Sequence, residues 1–214
     1  MFVLQVYLCH DQSPFLATSL PEKVQQKVGI ERMTSGAAIL KNGELVEADT
    51  LVLCTGYRYS FPFLSDDCRP AVLHEGQTVD ALYLHLIHAR FPTMSIIGIP
   101  KKVCPFPLFD RQVRFVLATL DGTVCLPSTE EMLSDVRREK DASAAAGKAA
   151  RHLHVFSSAQ WVYNDRLAKM AGFDPLLPVV SKLYESECPK RVYNLVGYRS
   201  QSFRIIDHET FEKI

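Results

Sequence analysis

Apolar residues alternate or run continuously through the first sixty positions, a pattern typical of β-strands. A strand is predicted over residues 3–9. Residues 37–46 predict a hairpin, because Asn42-Gly43 can supply the two positive-φ positions of a type I′ turn. The apolar run over residues 51–55 predicts a strand buried on both faces. Gly56 follows it and allows either a sharp turn or the close approach of a ligand.

The middle of the chain predicts a loop followed by two further strands. Residues 60–80 are interrupted by proline, aspartate and glycine and favour a loop or crossover. Strand patterns follow over residues 82–87 and 93–98. On a continuous strand His85 and His88 point to opposite faces, so we expect no shared metal site there.

Helical patterns dominate the second half. The first predicted helix begins near Phe109 and runs to Leu120. Ser128-Thr129-Glu130-Glu131 is a capping box and predicts a helix to about residue 140. A third helix is capped by Ser157 or Ser158 and ended by Gly172, and the tail is irregular with some β character. The fold class is therefore α/β, with a β-rich N-terminal part and a mainly helical C-terminal part.

Composition and glycine spacing exclude several function classes. The 214 residues include 24 basic and 24 acidic side chains, and a net charge of zero argues against a nucleic-acid or anionic-membrane surface. No two of the ten glycines are closer than seven residues. This spacing excludes the G-x-G-x-x-G dinucleotide fingerprint, the P-loop and the G-x-S-x-G nucleophile elbow. The 47% of hydrophobic residues suffice for a core of one domain or slightly more.

Cysteine and histidine spacing indicates no metal centre. The six cysteines contain no C-x-x-C pair and the seven histidines no H-x-x-x-H pair, so we expect reduced thiols and neither a zinc ribbon nor a zinc-protease helix. No apolar run approaches the ~20 residues that a membrane helix needs. We therefore expect no transmembrane segment.

One segment carries a strong family resemblance. Residues 53–64 read Leu-Cys-Thr-Gly-Tyr-Arg-Tyr-Ser-Phe-Pro-Phe-Leu and closely resemble the Thr-Gly-Tyr signature of the flavin-containing monooxygenases. Residues 110–115 are similar to the family's Glu-x-Gln-Ala-Arg-Trp helix, with Asp for Glu and Phe for Trp. Further matches in the same order are residues 82–85, 92–98, 126–132 and 163–175.

The resemblance implies a partial fold. Family members are longer and carry an FAD fingerprint and an NADPH fingerprint, both ahead of the Thr-Gly-Tyr segment. Neither occurs in this sequence, so we expect them upstream, in a missing N-terminal half of the same fold. The expected architecture is a partial two-dinucleotide-binding-domain flavoprotein fold. Residues 1–50 would be the C-terminal remnant of the NADPH-binding domain, and residues 51–214 the C-terminal part of the FAD-binding domain.

The resemblance also implies a chemistry. In such enzymes NADPH reduces FAD, and the reduced flavin captures O₂ as a C4a-hydroperoxyflavin that oxygenates nitrogen or sulfur in small molecules such as dimethylaniline. The cofactor supplies the reactive group, so the sequence needs no catalytic acid or base, and we name no catalytic residue. The family resemblance places the protein in the cytoplasm or on the cytosolic face of the endoplasmic reticulum.

Five residues are the predicted cofactor contacts. The Thr55-Gly56-Tyr57 turn would let the backbone approach FAD, and the alternative is a tight turn between domains. Asp110 and Gln112 lie near the predicted start of a helix, whose free N–H groups and dipole suit a reduced flavin. The alternatives are that Asp110 caps the helix and that Gln112 binds the backbone.

Two other functions stay open. The chain could be a non-catalytic truncated isoform or an incomplete gene product, because both glycine fingerprints are missing. It could also belong to a related flavoprotein of the Baeyer–Villiger type, although the Phe-Pro-Phe-Leu and Asp-x-Gln-x-Arg strings favour the first family. In each case we expect the isolated chain to lack flavin and activity and to be prone to aggregation.

Overall fold

The computed structural model describes residues 5–11 and 20–214, so the predicted strand over residues 3–9 lies partly outside the described residues. The chain divides into two compact units. The first combines the residues up to Cys54 with Leu177–Ile214, and the second is Thr55–Leu176. Assignment of the N-terminal 50 residues to an NADPH-binding domain and of the rest to an FAD-binding domain stays a prediction.

Strands precede helices along most of the described chain, and the mixture of the two fits an α/β fold. The strands are β1 (Val6–His10), β2 (Val24–Val28), β3 (Ile30–Thr34), β4 (Ala37–Leu40), β5 (Leu45–Glu47), β6 (Val72–Leu73), β7 (Thr78–Val79), β8 (Leu82–Tyr83), β9 (Ile87–His88), β10 (Phe203–Ile205) and β11 (Phe211–Lys213). The helices are α1 (Pro105–Leu120), α2 (Thr129–Ala145), α3 (Ala159–Ala171) and α4 (Pro178–Glu187).

The first unit contains a parallel pair, β1–β2, an antiparallel meander, β3–β4–β5, and the small hairpin β10–β11. The predicted hairpin between β4 and β5 is confirmed, but the type I′ turn is wrong. Only Gly43 of the Asn-Gly pair has a positive φ, +84°. Leu40 N donates to Glu44 O over 2.9 Å, and Gly43 N donates to Leu40 O. The loop is longer than a two-residue type I′ turn, and it therefore needs one left-handed residue instead of two.

The predicted buried strand over residues 51–55 is wrong. The segment has no strand conformation, and its side chains are exposed, with Val52 at 73% and Leu53 at 74%. An apolar run becomes a strand only where neighbouring strands satisfy its backbone groups and cover its faces. Within the described residues, Leu51–Leu53 have no such neighbour.

The second unit begins with two short hairpins, β6–β7 and β8–β9. The single strand predicted over residues 82–87 is wrong, because Leu84 and His85 have φ of 54° and 50° and turn the chain back. His85 and His88 therefore do not lie on one strand. The strand predicted over residues 93–98 is reduced to one bridge, between Ile87 and Ser95.

Three helices complete the second unit around one core. Helix α1 begins at Pro105, four residues before the predicted start. The capping box at Ser128 is confirmed, since its hydroxyl accepts from Glu131 N and the Glu131 carboxylate accepts from Ser128 N. Gly172 ends α3 in the left-handed conformation, as predicted, with φ of 69°. Phe115, Leu86, Leu108, Met132 and Leu167 are among the fully buried core residues.

Candidate functional site

The Thr55-Gly56-Tyr57 turn is open to its surroundings. Gly56 has φ of +91°, a conformation that side chains rarely adopt, and nothing lies within 4 Å of the position where a Cβ would stand. Thr55 is exposed, and the Tyr57 side chain is 94% exposed. The backbone at this turn is therefore open to close approach, and the predicted cofactor contact at these three residues stays a prediction.

Tyr59 anchors the chain just after this turn. Its hydroxyl donates to Ile99 O, and Lys101 Nζ lies 4.5 Å from the ring centroid. Burial raises the pKa of Tyr59 to about 12, so the hydroxyl stays protonated and remains a donor. Tyr59 thus fixes the open turn against the segment that leads into α1. Sequence reasoning did not single out this tyrosine.

Gln112 lies at the centre of a buried hydrogen-bond network. Its Oε1 accepts from Gly98 N over 2.9 Å, and its Nε2 donates to the Tyr163 hydroxyl over 2.8 Å. That hydroxyl donates in turn to Leu84 O over 2.8 Å. Gln112 is fully buried, and these bonds connect α1, α3 and the two segments before α1. The predicted flavin contact at Gln112 stays a prediction, and the geometry gives the side chain a positioning role.

Position 98 requires a glycine, because the backbone there packs against α1. Its φ is +88°, and a Cβ there would lie 3.1 Å from the ring of Phe109. Any side chain would push that ring away from the helix or distort the turn. The Ile-Ile-Gly string was part of the family resemblance, but the pattern alone assigned no role to its glycine.

Asp110 pairs with two arginines of its own helix. Its carboxylate accepts from Arg114 Nε over 3.0 Å and lies 3.1 Å from Arg111 Nη2. Because α1 begins at Pro105, Asp110 lies in the second turn and does not cap the helix. Its side chain remains nearly half exposed, and the proposed cofactor contact at Asp110 stays a prediction.

The start of α1 offers fewer donors than expected. Of its first three residues, Pro105 and Pro107 have no backbone N–H, so only Phe106 can donate. The side chain of Phe106 is 85% exposed. The expected cradle of free N–H groups near Phe109 is therefore wrong, because that residue already lies inside the helix.

A second buried polar network joins two histidines. His85 Nδ1 lies 2.7 Å from His154 Nδ1, and His85 Nε2 lies 2.6 Å from Glu139 Oε1. Val79 N donates to His154 Nε2 over 3.0 Å. His154 Nε2 also lies 3.1 Å from Val79 O, so this nitrogen contacts both backbone groups of Val79. Burial lowers the pKa of His154 to about 3, so its ring is neutral. No sequence pattern indicates this pair, because the two residues are 69 positions apart.

Across residues 5–11 and 20–214, no group of three or more histidine, cysteine, aspartate or glutamate side chains could hold a metal ion. None of the six cysteines, all of which lie in the described residues, forms a disulfide bond. None of the helices in the described part of the chain has the length and apolarity to cross a membrane.

The chain belongs to the flavin-binding monooxygenase-like family, whose profile matches residues 5–196. The match covers most of the chain, including the Thr55-Gly56-Tyr57 turn and the α1 network.

Curated relatives carry the same family name. The chain is 36% identical over 170 residues to flavin-containing monooxygenase FMO GS-OX4 of Arabidopsis thaliana, a match covering 79% of this chain and 35% of the relative. It is 41% identical over 141 residues to FMO GS-OX-like 7 of the same plant, a match covering 64% of this chain and 30% of the relative. The chain thus spans about a third of the length of these relatives.

Solved structures agree with the family. S-allyl-L-cysteine S-oxygenase from Allium sativum superposes with a TM-score of 0.77 at 28% identity, over 92% of this chain and 46% of that one. Tmm from Pelagibacter sp. strain HTCC7211 has a TM-score of 0.74 over 92% of this chain at 20% identity, which shows a shared fold.

Proposed function

We propose that this chain is the C-terminal part of a flavin-dependent monooxygenase that oxygenates nitrogen or sulfur in small molecules with NADPH and O₂. The observation that carries the proposal is the match to S-allyl-L-cysteine S-oxygenase, which extends over 92% of this chain but 46% of the neighbour. The remainder of the flavoprotein fold would supply both dinucleotide fingerprints. Alone, the chain is proposed to be inactive.

Thr55, Gly56 and Tyr57 are the residues we propose to touch FAD. Gly56 leaves its Cβ position empty, so a ring system can lie against the backbone. When bound, FAD would supply the redox chemistry: it would accept electrons from NADPH and activate O₂. The chain's own part is to present backbone groups at the turn and to hold it in place through Tyr59 and Ile99.

The polar residues of α1 have a supporting role in this proposal. Gln112 fixes Gly98 and Tyr163, and so sets the position of the segment to which Tyr59 is bound. Asp110 remains a candidate contact on the exposed side of the helix. We further propose that the protein acts in the cytoplasm or on the cytosolic face of the endoplasmic reticulum, as the family resemblance implies.

A non-catalytic chain is the second candidate. The absence of both G-x-G-x-x-G fingerprints from this sequence favours it. Such a product would keep the folded α1–α3 core without holding a cofactor.

A chimera distinguishes the two candidates. The matched portion of the Allium S-oxygenase is replaced by this chain, and NADPH-dependent formation of sulfoxide from S-allyl-L-cysteine is measured. The proposal expects sulfoxide from the chimera and none from this chain alone. A folded chimera that consumes no NADPH and forms no sulfoxide supports the non-catalytic reading. Parallel assays with a tertiary amine test for nitrogen oxygenation.

A further inference from the structure

A small cavity with several charged lining residues lies in the second unit, beside the β8–β9 hairpin. It has a volume of about 190 Å³ and is lined by Asp67, Arg69, Asp80, His88, Arg90 and Phe91, among others. At about 30 Å³ per water molecule, this space holds about six waters or one small organic molecule. The Thr55-Gly56-Tyr57 turn and the α1 network contribute no residue to its lining.

His88 presents an N–H group at this cavity. Its Nδ1 accepts from Arg90 N over 3.2 Å and from Phe91 N over 3.1 Å, which requires the ring proton to be on Nε2. The residue is 4% exposed. Within the described residues, the structure shows no acceptor for Nε2–H, and this nitrogen is not among the fully buried polar atoms that lack a partner, so it is open to the cavity. A donor held this way suits an acceptor placed in the cavity.

The charges that border the cavity are only partly compensated. The Arg69 guanidinium pairs with Asp66 over 2.7 Å and donates to the carbonyl of Leu64, so its donors are occupied. The carboxylate of Asp80 pairs with Lys140 over 2.5 Å. These two ion pairs contribute no net charge.

One cation and one carboxylate remain. The Arg90 side chain is exposed and forms no ion pair with any described residue. It lies close enough to Asp80 and His88 to lower the pKa of both. Asp67 accepts hydrogen bonds from Ser65 and nearby backbone groups, which lower its pKa, but no described cation pairs with it. The cavity therefore combines a guanidinium, an N–H donor and a free carboxylate.

We propose that this cavity binds a small zwitterion of the α-amino-acid class. The ligand carboxylate accepts from His88 Nε2–H and from the Arg90 guanidinium, and the ligand ammonium group pairs with Asp67. A simple anion would leave Asp67 repelling it, and a simple cation would meet Arg90. The ring of Phe91, 5.2 Å from that of His88, covers one side of the space with apolar surface.

Ligand-observed saturation-transfer NMR tests this site on the full 214-residue chain. L-alanine is the probe, and acetate and methylammonium each carry one of its charges. The expected result is saturable binding of L-alanine in the millimolar range, with each half-ligand about tenfold weaker. No saturable L-alanine signal would mean that the cavity holds water only and would overturn the proposal. Equal binding of acetate and L-alanine would overturn the zwitterion assignment.

Two variants locate the binding. Arg90→Gln and Asp67→Asn should each weaken L-alanine binding about tenfold, because each removes one charge partner. Arg138→Gln is the matched control, since Arg138 is an exposed arginine of α2 paired with Asp135 and does not line the cavity. Circular dichroism melts confirm that the variants fold. Unchanged binding in both variants, or an equal loss in the control, contradicts the proposed site.

Discussion

A single phenol hydroxyl joins three parts of the second unit. Tyr163 accepts from Gln112 Nε2 and donates to Leu84 O, both over 2.8 Å, and the residue is buried. Tyr163→Phe leaves the Gln112 amide and the Leu84 carbonyl without this partner, so we expect the free energy of unfolding to fall by about 1–3 kcal/mol. Urea denaturation measures this free energy of unfolding. Tyr57→Phe, at a 94% exposed tyrosine, should change it by less than about 0.5 kcal/mol. Equal effects would contradict the network.

His154 makes stability depend on pH. Burial, assisted by His85, lowers its pKa from 6.5 to about 3 in the folded chain. At pH values between these two pKa values, the unfolded chain binds more protons than the folded chain does. The unfolded population therefore grows as the pH falls. We expect the unfolding midpoint in urea to drop from pH 7 to pH 5, and His154→Gln to flatten this dependence. The exposed His152 supplies the control: His152→Gln should keep the wild-type slope. A steeper or unchanged slope in His154→Gln contradicts the assignment.

Gly56 tests the proposed cofactor contact directly. Gly56→Ala and Gly147→Ala both introduce a Cβ at positive φ, +91° and +73°, with nothing within 4 Å. Both should cost about 1 kcal/mol of stability through backbone strain. In the chimera with the Allium neighbour, we expect only Gly56→Ala to weaken FAD binding, measured by fluorescence titration. If the two variants bind FAD equally, no close contact exists at Gly56.

Single residues were predictable where their conformation is local. The capping serine and the glycine that ends α3 follow from rules that involve a few neighbours in sequence. The His85–His154 contact is not of this kind, because it forms between residues brought together by the fold. The cofactor contact at Gln112 stays a prediction, and its hydrogen bonds to Gly98 and Tyr163 depend on the fold rather than on neighbours in sequence.

At the scale of elements, the start of α2 depends on hydrogen bonds between residues only three positions apart. The hydroxyl of Ser128 accepts from Glu131 N over 3.3 Å, and Glu131 Oε2 accepts from Ser128 N over 2.9 Å. Ser128→Ala should lower the free energy of unfolding by about 1 kcal/mol. Ser143→Ala, within the same helix, should have no comparable effect. Thermal unfolding followed by circular dichroism compares them, and equal melting temperatures for both variants would contradict a stabilising cap.

Helices were predicted better than strands, for a physical reason. A helix satisfies its backbone groups within its own segment, so α1 was predicted as a helix, with its start misplaced by four residues. The apolar stripe was assigned to the wrong face, because Val113, Leu117 and Leu120 are exposed and the core side carries Leu108, Phe115 and Ala118. A strand needs a neighbour. The pattern over residues 51–55 and 93–98 therefore predicted strands that the described chain does not form. The alternation over residues 82–87 concealed a turn at Leu84 and His85.

At the scale of the whole molecule, exposed apolar surface is the main feature that composition could not reveal. The outer face of α1 exposes Phe106, Val113, Leu117 and Leu120, and Leu51–Leu53 are exposed as well. A hydrophobic content of 47% predicted a core but not its extent. Exposed apolar surface of this kind favours association with other protein surface. Our proposal assigns that role to the rest of the flavoprotein fold.

The FAD content of the purified protein tests the central claim most directly. The 214-residue chain alone and its chimera with the Allium neighbour are purified in excess FAD, desalted and assayed for flavin absorbance per polypeptide. Our account predicts no retained flavin in the chain alone and one FAD per chimera. Stoichiometric FAD in the chain alone, or a folded chimera without flavin, would contradict it.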